Sequence, residues 1–165
     1  GKANQILDLM VDVPLIIPTS ALGFSVFLFW SRGLGLIDPG FWLVVIVHVV
    51  FTYPYMVRPL IAVVQSIDRE VEEAAKTLGA SPLTTFRTVT LPMIKNGIIS
   101  SSIMTFTRSL SETGATVVVM GLTRTVPVLI VDWTESMALR AASFASVLII
   151  AVSFIMLAII RKISR

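Results

Sequence analysis

Long apolar runs joined by short polar links dominate this chain. Four of them, Val13–Trp30, Phe41–Val57, Ile98–Leu122 and Phe144–Ile160, approach the roughly 17–25 residues that a helix needs to cross a hydrocarbon core. The pattern predicts an all-α, polytopic membrane fold, with residues 1–165 forming one transmembrane domain of four visible spans. Prolines punctuate it. Pro14 and Pro18 fall near the start of the first span and predict a bend there, because proline removes a backbone donor. Pro54 and Pro59, set among Tyr53, Tyr55 and Arg58, mark the end of the second and suggest an interfacial anchor. The Gly/Pro-rich link from Ser31 to Gly40 predicts a short loop, and a second loop is expected around Trp133, Glu135 and Arg140.

Between spans two and three lies a polar island, residues 68–92. Its spacing predicts two short helices meeting at a corner. Asp68 suits an N-cap, and Glu70, Glu72 and Glu73 put negative charge near the positive helix start. Val71, Ala74, Ala75 and Leu78 follow i, i+3, i+4, i+7 and make one apolar face. Gly79 suits the left-handed position that ends the helix. Ser81-Pro82 then starts a second helix, which offers Leu83 and Phe86 and is expected to stop before Leu91-Pro92, where the third span begins. An apolar helix face in water must be covered, either by this chain's own spans and the lipid headgroups or by a groove on a partner.

Charge supports this layout and orients it. The chain is 55% hydrophobic and only 14% charged, against about 25% charged in ordinary soluble domains. With the island on the cytoplasmic side, alternation puts Lys2, Arg58, Arg69, Lys76, Arg87, Lys95, Arg161, Lys162 and Arg165 inside. Arg32, Arg124 and Arg140 fall outside and Arg108 within a span, which follows the positive-inside rule. The net charge of +3 is scattered and gives no reason to invoke nucleic acid. Without cysteine there is no disulfide framework. No G-x-x-x-x-G-K-[ST] loop, Ser/His/Asp set or metal-ligand cluster occurs, so no ATP site, catalytic residue, metal or cofactor is expected on this chain.

The island carries a family likeness. Glu73-Ala74-Ala75, Gly79 four residues after the second Ala, and then Val89-Thr90-Leu91-Pro92 resemble the EAA loop of the membrane subunits of binding-protein-dependent ABC importers; Val89 stands where that family most often has Ile. The resemblance implies a type I importer permease, a translocation subunit rather than an enzyme. It implies that Glu73, Ala74, Ala75, Leu78, Gly79, Ser81, Pro82, Phe86, Leu91 and Pro92 couple to ATPase subunits on the cytoplasmic face. Its other implied partners are a second permease subunit, identical or related, an external solute-binding protein and the bilayer. Such permeases usually carry two or more further helices ahead of the point where this sequence begins, and an opening at Gly1 is expected of a fragment or a trimmed product.

The third apolar run holds Ser101, Thr105, Arg108, Glu112 and Thr116 at intervals of four, three, four and four, a polar stripe on one helix face. Charges at bilayer depth are costly and seldom face lipid. The stripe reads as a lining of the solute path or as a self-neutralising pair that glues helices together. Arg108-Ser-Leu-Ser-Glu112-Thr-Gly114-Ala115-Thr116 is similar to a stretch of the molybdate, tungstate and sulfate importers, with Thr113 where that group often has Phe. This implies an oxyanion substrate. Ferric iron, thiamine or a polyamine carried by the same permease class is the alternative, and a secondary transporter or channel with broken helices the rival class. His48, alone in the second run, is expected to be an interior hydrogen-bonded residue.

Overall fold

A computed structural model describes residues 2–163, and among them all regular structure is helical. Helix α1 (Lys2–Ile16) and helix α2 (Thr19–Phe27) are the two arms of the first run, bent by 108° at their junction. Pro18 makes the break. It disfavours helical geometry in the residue before it and serves as the N-cap of α2, with φ −54 and ψ 134. Pro14 is accommodated inside α1. A π-helical stretch, Leu28–Gly33, continues α2 before the irregular link to Gly40.

Helix α3 (Phe41–Gln65) runs on past the expected end at Val57, with Pro54 and Pro59 inside it. The polar island supplies α4 (Arg69–Thr77) and α5 (Pro82–Thr85). After this corner come α6 (Leu91–Leu110), α7 (Gly114–Val119), α8 (Val126–Glu135) and α9 (Leu139–Ile163). Helices α3 and α9 are each long and apolar enough to cross a membrane, and the bent α1–α2 pair makes a third crossing if counted as one broken span. Helix α6 has 20 residues, about 30 Å of rise, but with Lys95, Asn96 and Arg108 it is not apolar enough to count as a crossing. In place of the four expected spans, two helices, or three with the bent pair, are long and apolar enough among the described residues.

Two further expectations are corrected here. The third run is not one helix: it breaks at Ser111–Thr113, between α6 and α7. Ser111 turns its hydroxyl back to the Arg108 carbonyl, a local bond that competes with the helical ladder. Trp133 and Glu135 also belong to a helix, α8, rather than to a loop.

The core gathers Leu22 and Val26 of α2, Leu43, Val47 and Phe51 of α3, Ala115 and Val119 of α7, and Val128 of α8. Small residues set the closest approaches, as in other membrane helix pairs. A Cβ on Gly23 would lie 2.7 Å from the carbonyl oxygen of Ala115, so α2 and α7 touch backbone to backbone. Most of α9 stays outside this core, with Phe144, Val147, Phe154 and Ile155 exposed.

Candidate functional site: the polar corner and the polar stripe

The polar island folds into the predicted corner. Asp68 caps α4 by accepting from the Glu70 amide at 3.0 Å. The far end closes as a Schellman motif: Ala80 N–H donates to the Ala75 carbonyl and Gly79 N–H to that of Lys76, with Gly79 at φ +87. Ser81 caps α5 through the Thr84 amide at 3.2 Å.

The expected stop before Leu91-Pro92 does not occur. Helix α5 passes through a π-helical stretch, Phe86–Thr90, straight into α6. Pro92 lies in the first turn of α6, where the widened π turns accommodate its missing donor. The corner is therefore continuous with α6 and is crossed by α4. The brace between them is a hydrogen bond that spacing along the chain does not predict, Thr90 Oγ1 to Glu72 Oε1 at 2.6 Å.

What the corner leaves uncovered is its apolar edge. Leu78 is 89% exposed, and Val71, Leu83 and Phe86 are also exposed. On the opposite face of α4 a polar notch of ≈ 450 Å³ is lined by Gln65, Arg69, Glu72, Glu73 and Lys76. Among the described residues the Glu73 carboxylate has neither a hydrogen-bond nor an ion-pair partner. Ala74, Ser81 and Pro82 are exposed too, whereas Ala75 is half-buried.

The polar stripe does not stay on one face. Ser101 is fully buried, with its hydroxyl unpartnered. Arg108 leans on the rings of Phe51 and Tyr55, 4.6 and 5.7 Å from their centroids, and its Nε donates to Tyr55 Oη at 3.2 Å. Glu112 lies in the break beyond α6, 4% exposed. Its Oε1 accepts from the Ala115 amide at 2.8 Å, and Oε2 stands 3.9 Å from the Arg108 guanidinium. The carboxylate thus serves as the cap of α7 as well as the ion partner, which is how a broken helix is tolerated within protein at membrane depth.

Thr116 is buried and pairs with His48, whose Nε2 lies 2.9 Å from Thr116 Oγ1 and whose Nδ1 lies 2.8 Å from Ser109 Oγ. His48 is the hydrogen-bonded interior residue the sequence predicts. The group expected to anchor the end of the second run, Tyr53, Tyr55 and Arg58, also makes contacts within the protein. Arg58 grips Asp8 and Asp12, one turn apart on α1, and Tyr53 Oη donates to the Met10 carbonyl. The i, i+4 carboxylates are visible in the sequence, but their partner 46 residues away is not.

Helices long and apolar enough to cross a membrane, with a polar corner between α3 and α6, fit the membrane component of a transport system. The chain belongs to the family of binding-protein-dependent transport system inner membrane components, which it matches over residues 1–165. It is similar to the molybdate/tungstate transport system permease protein WtpB of Methanocaldococcus jannaschii, 34% identical over 99% of this chain and 68% of that one. It is also similar to the molybdenum transport system permease protein ModB of Escherichia coli, 33% identical over 77% of this chain and 61% of the relative. The sulfate transport system permease protein CysT of Salmonella typhimurium is 37% identical over 72% of this chain and 46% of its own length. The chain thus spans about half to two thirds of these relatives' lengths.

Proposed function

We propose that this chain is the translocating part of an ABC importer permease for a small oxyanion of the molybdate, tungstate or sulfate kind, and that residues 68–92 are its cytoplasmic coupling loop. The observation that carries the coupling role is the uncovered apolar edge, Val71, Leu78, Leu83 and Phe86, on a corner braced to α6. An amphipathic helix that its own chain does not cover fits a groove on a partner. The partner is a pair of ATP-binding cassette subunits, Glu73 faces a cation on them, and the corner hands their closure to α6. The excess of Lys and Arg on the same side supports a cytoplasmic loop and C-terminus. A second permease subunit and an external solute-binding protein complete the assembly.

The oxyanion assignment rests on the names of the relatives and on Arg108-Ser-Leu-Ser-Glu112-Thr-Gly114-Ala115-Thr116. The path runs beside α6, where Thr105 and Glu112 of the polar stripe each border a cavity. Gly79→Val tests the coupling role. It leaves the apolar edge in place and meets no neighbouring atom, yet forces a β-branched residue to φ +87. Assembled with its ATPase and binding protein, the variant should lose ATP-driven molybdate uptake while the membrane domain stays folded. Unchanged co-purification, stimulated ATPase activity and uptake would remove the coupling role. Measuring which oxyanion the partner binding protein retains tests the substrate.

A further inference from the structure

Helix α1 wears its apolar residues on the outside. Val11 is half-buried and Pro14 buried, on the side that meets the protein. Ile6, Leu9, Val13 and Ile16 stand exposed at intervals of three, four and three, which makes one stripe along the helix. Ile16 is 79% exposed and Leu9 63%. Such a stripe is unfavourable in water, so its surroundings are apolar.

Two contacts with α3 fix how α1 sits. On one flank, Arg58 donates from Nε to Asp12 Oδ1 at 2.7 Å and from Nη1 to Asp8 Oδ1 at 3.3 Å. On the other, Tyr53 Oη donates to the Met10 carbonyl, whose helical donor is missing because residue 14 is proline. Along α3, Tyr53 is nearer the Phe41 end and Arg58 nearer Gln65, where the chain turns into the polar corner. The carboxylate flank of α1 therefore faces the corner, and the Met10 flank faces the middle of the span.

Depth follows from the same helix. Phe41 and Trp42, both exposed, open α3 with the aromatic residues that mark a membrane boundary. From Phe41 to Arg58 the helix climbs about 26 Å, close to the ~30 Å of a hydrocarbon core. So α1 crosses α3 about one core thickness from the exposed rings, at the opposite boundary. Its 108° bend leaves it nearly perpendicular to the run from Thr19 to Gly33, hence along a bilayer surface rather than through it.

We propose that α1 is an interfacial helix whose partner is a lipid surface. It lies in the headgroup layer at the polar-corner end of α3 and sinks Ile6, Leu9, Val13 and Ile16 into the acyl boundary. Depth, direction and sidedness agree on this, and a helix with one apolar face binds a membrane in this way. Arg58 holds the two carboxylates that an anionic leaflet would repel. The inference rests on the membrane fold, and not on the solute or the coupling partner.

Nitroxide labels on Ile6→Cys, Leu9→Cys, Val13→Cys and Ile16→Cys, made singly in a cysteine-free parent of the full transporter, test it in nanodiscs. Collision with oxygen, which concentrates in lipid, is compared with collision with nickel ethylenediaminediacetate, which stays in water. Nitroxide lipids calibrate the depth. In phosphatidylcholine all four labels should meet oxygen several-fold more than nickel, at about 5–10 Å below the headgroups. Equal access to both reagents would place the stripe in water and overturn the proposal. Exclusion of both would mean that another protein helix covers it, and a depth near the bilayer centre that α1 crosses; either result also overturns it. Arg58→Gln, combined with the label at 9, should keep its depth in phosphatidylcholine and gain nickel access several-fold in phosphatidylglycerol. The same response in both lipids would overturn the role given to Arg58.

Discussion

The pair Arg108 and Glu112 offers the sharpest test of the packing, because sequence and structure predict different outcomes for it. Two opposite charges four apart on one helix would neutralise each other, and deleting both should then restore the protein. The structure gives each charge a second occupation. Leucine at 112 removes the acceptor that caps α7 and leaves the Ala115 amide unpaired in a buried place, at a cost of about 1–3 kcal/mol. Leucine at 108 removes the contacts with Phe51 and Tyr55, worth about 0.5–1 kcal/mol where partly exposed. The direct attraction lost with either is small. At 3.9 Å, with the Arg108 side chain 38% exposed, it belongs with open ion pairs of roughly 0.2–1 kcal/mol. The double variant Arg108→Leu/Glu112→Leu should therefore stay about 2–4 kcal/mol below the parent, with a coupling energy of about 1 kcal/mol or less. Glu112→Gln keeps a carbonyl oxygen for the Ala115 amide and should fall within about 1 kcal/mol of the parent. Denaturation of the detergent-solubilised complex by SDS titration measures parent, single and double variants in one cycle. A double variant as stable as the parent would refute the capping role and restore the simple ion pair.

Three further outcomes are expected from the same contacts. Glu73→Gln should lower ATP-coupled uptake while leaving the melting temperature unchanged, since its carboxylate has no partner among the described residues; a lower melting temperature with intact coupling would make its contact internal. Gly23→Val should be among the most damaging single changes, because its Cβ would sit 2.7 Å from a backbone oxygen; an overpacking penalty of about 1–3 kcal/mol should appear as lost yield of folded protein, and a normal yield would show that α2 and α7 can part. Arg58→Gln should free α1 from α3 and raise hydrogen exchange across residues 6–16, with α6 unaffected; unchanged exchange would mean that packing alone holds α1.

Much of the polar corner at residues 68–92 is legible in the sequence, because its determinants are local. Asp68 and Ser81 cap, Gly79 turns left-handed, and Val71 and Leu78 share a face within a few residues of each other, so spacing along the chain suffices. The membrane class is legible too, since length and apolarity alone decide whether a helix can cross a bilayer. What sequence does not decide is contact between distant segments. The periodicity that draws a continuous stripe from Ser101 to Thr116 assumes one helix, but the break at Ser111–Thr113 turns Glu112 into a cap and gives Thr116 to His48. Leu91-Pro92 resembles a stop because proline ends a helix that has nowhere to put the lost bond, and the π turns ahead of it supply the room. Arg58 can be placed near the end of the second run from sequence, but only the fold brings Asp8 and Asp12 to it. Local geometry is written in neighbours along the chain; the partner of a buried charge is chosen by whichever helix the packing sets against it.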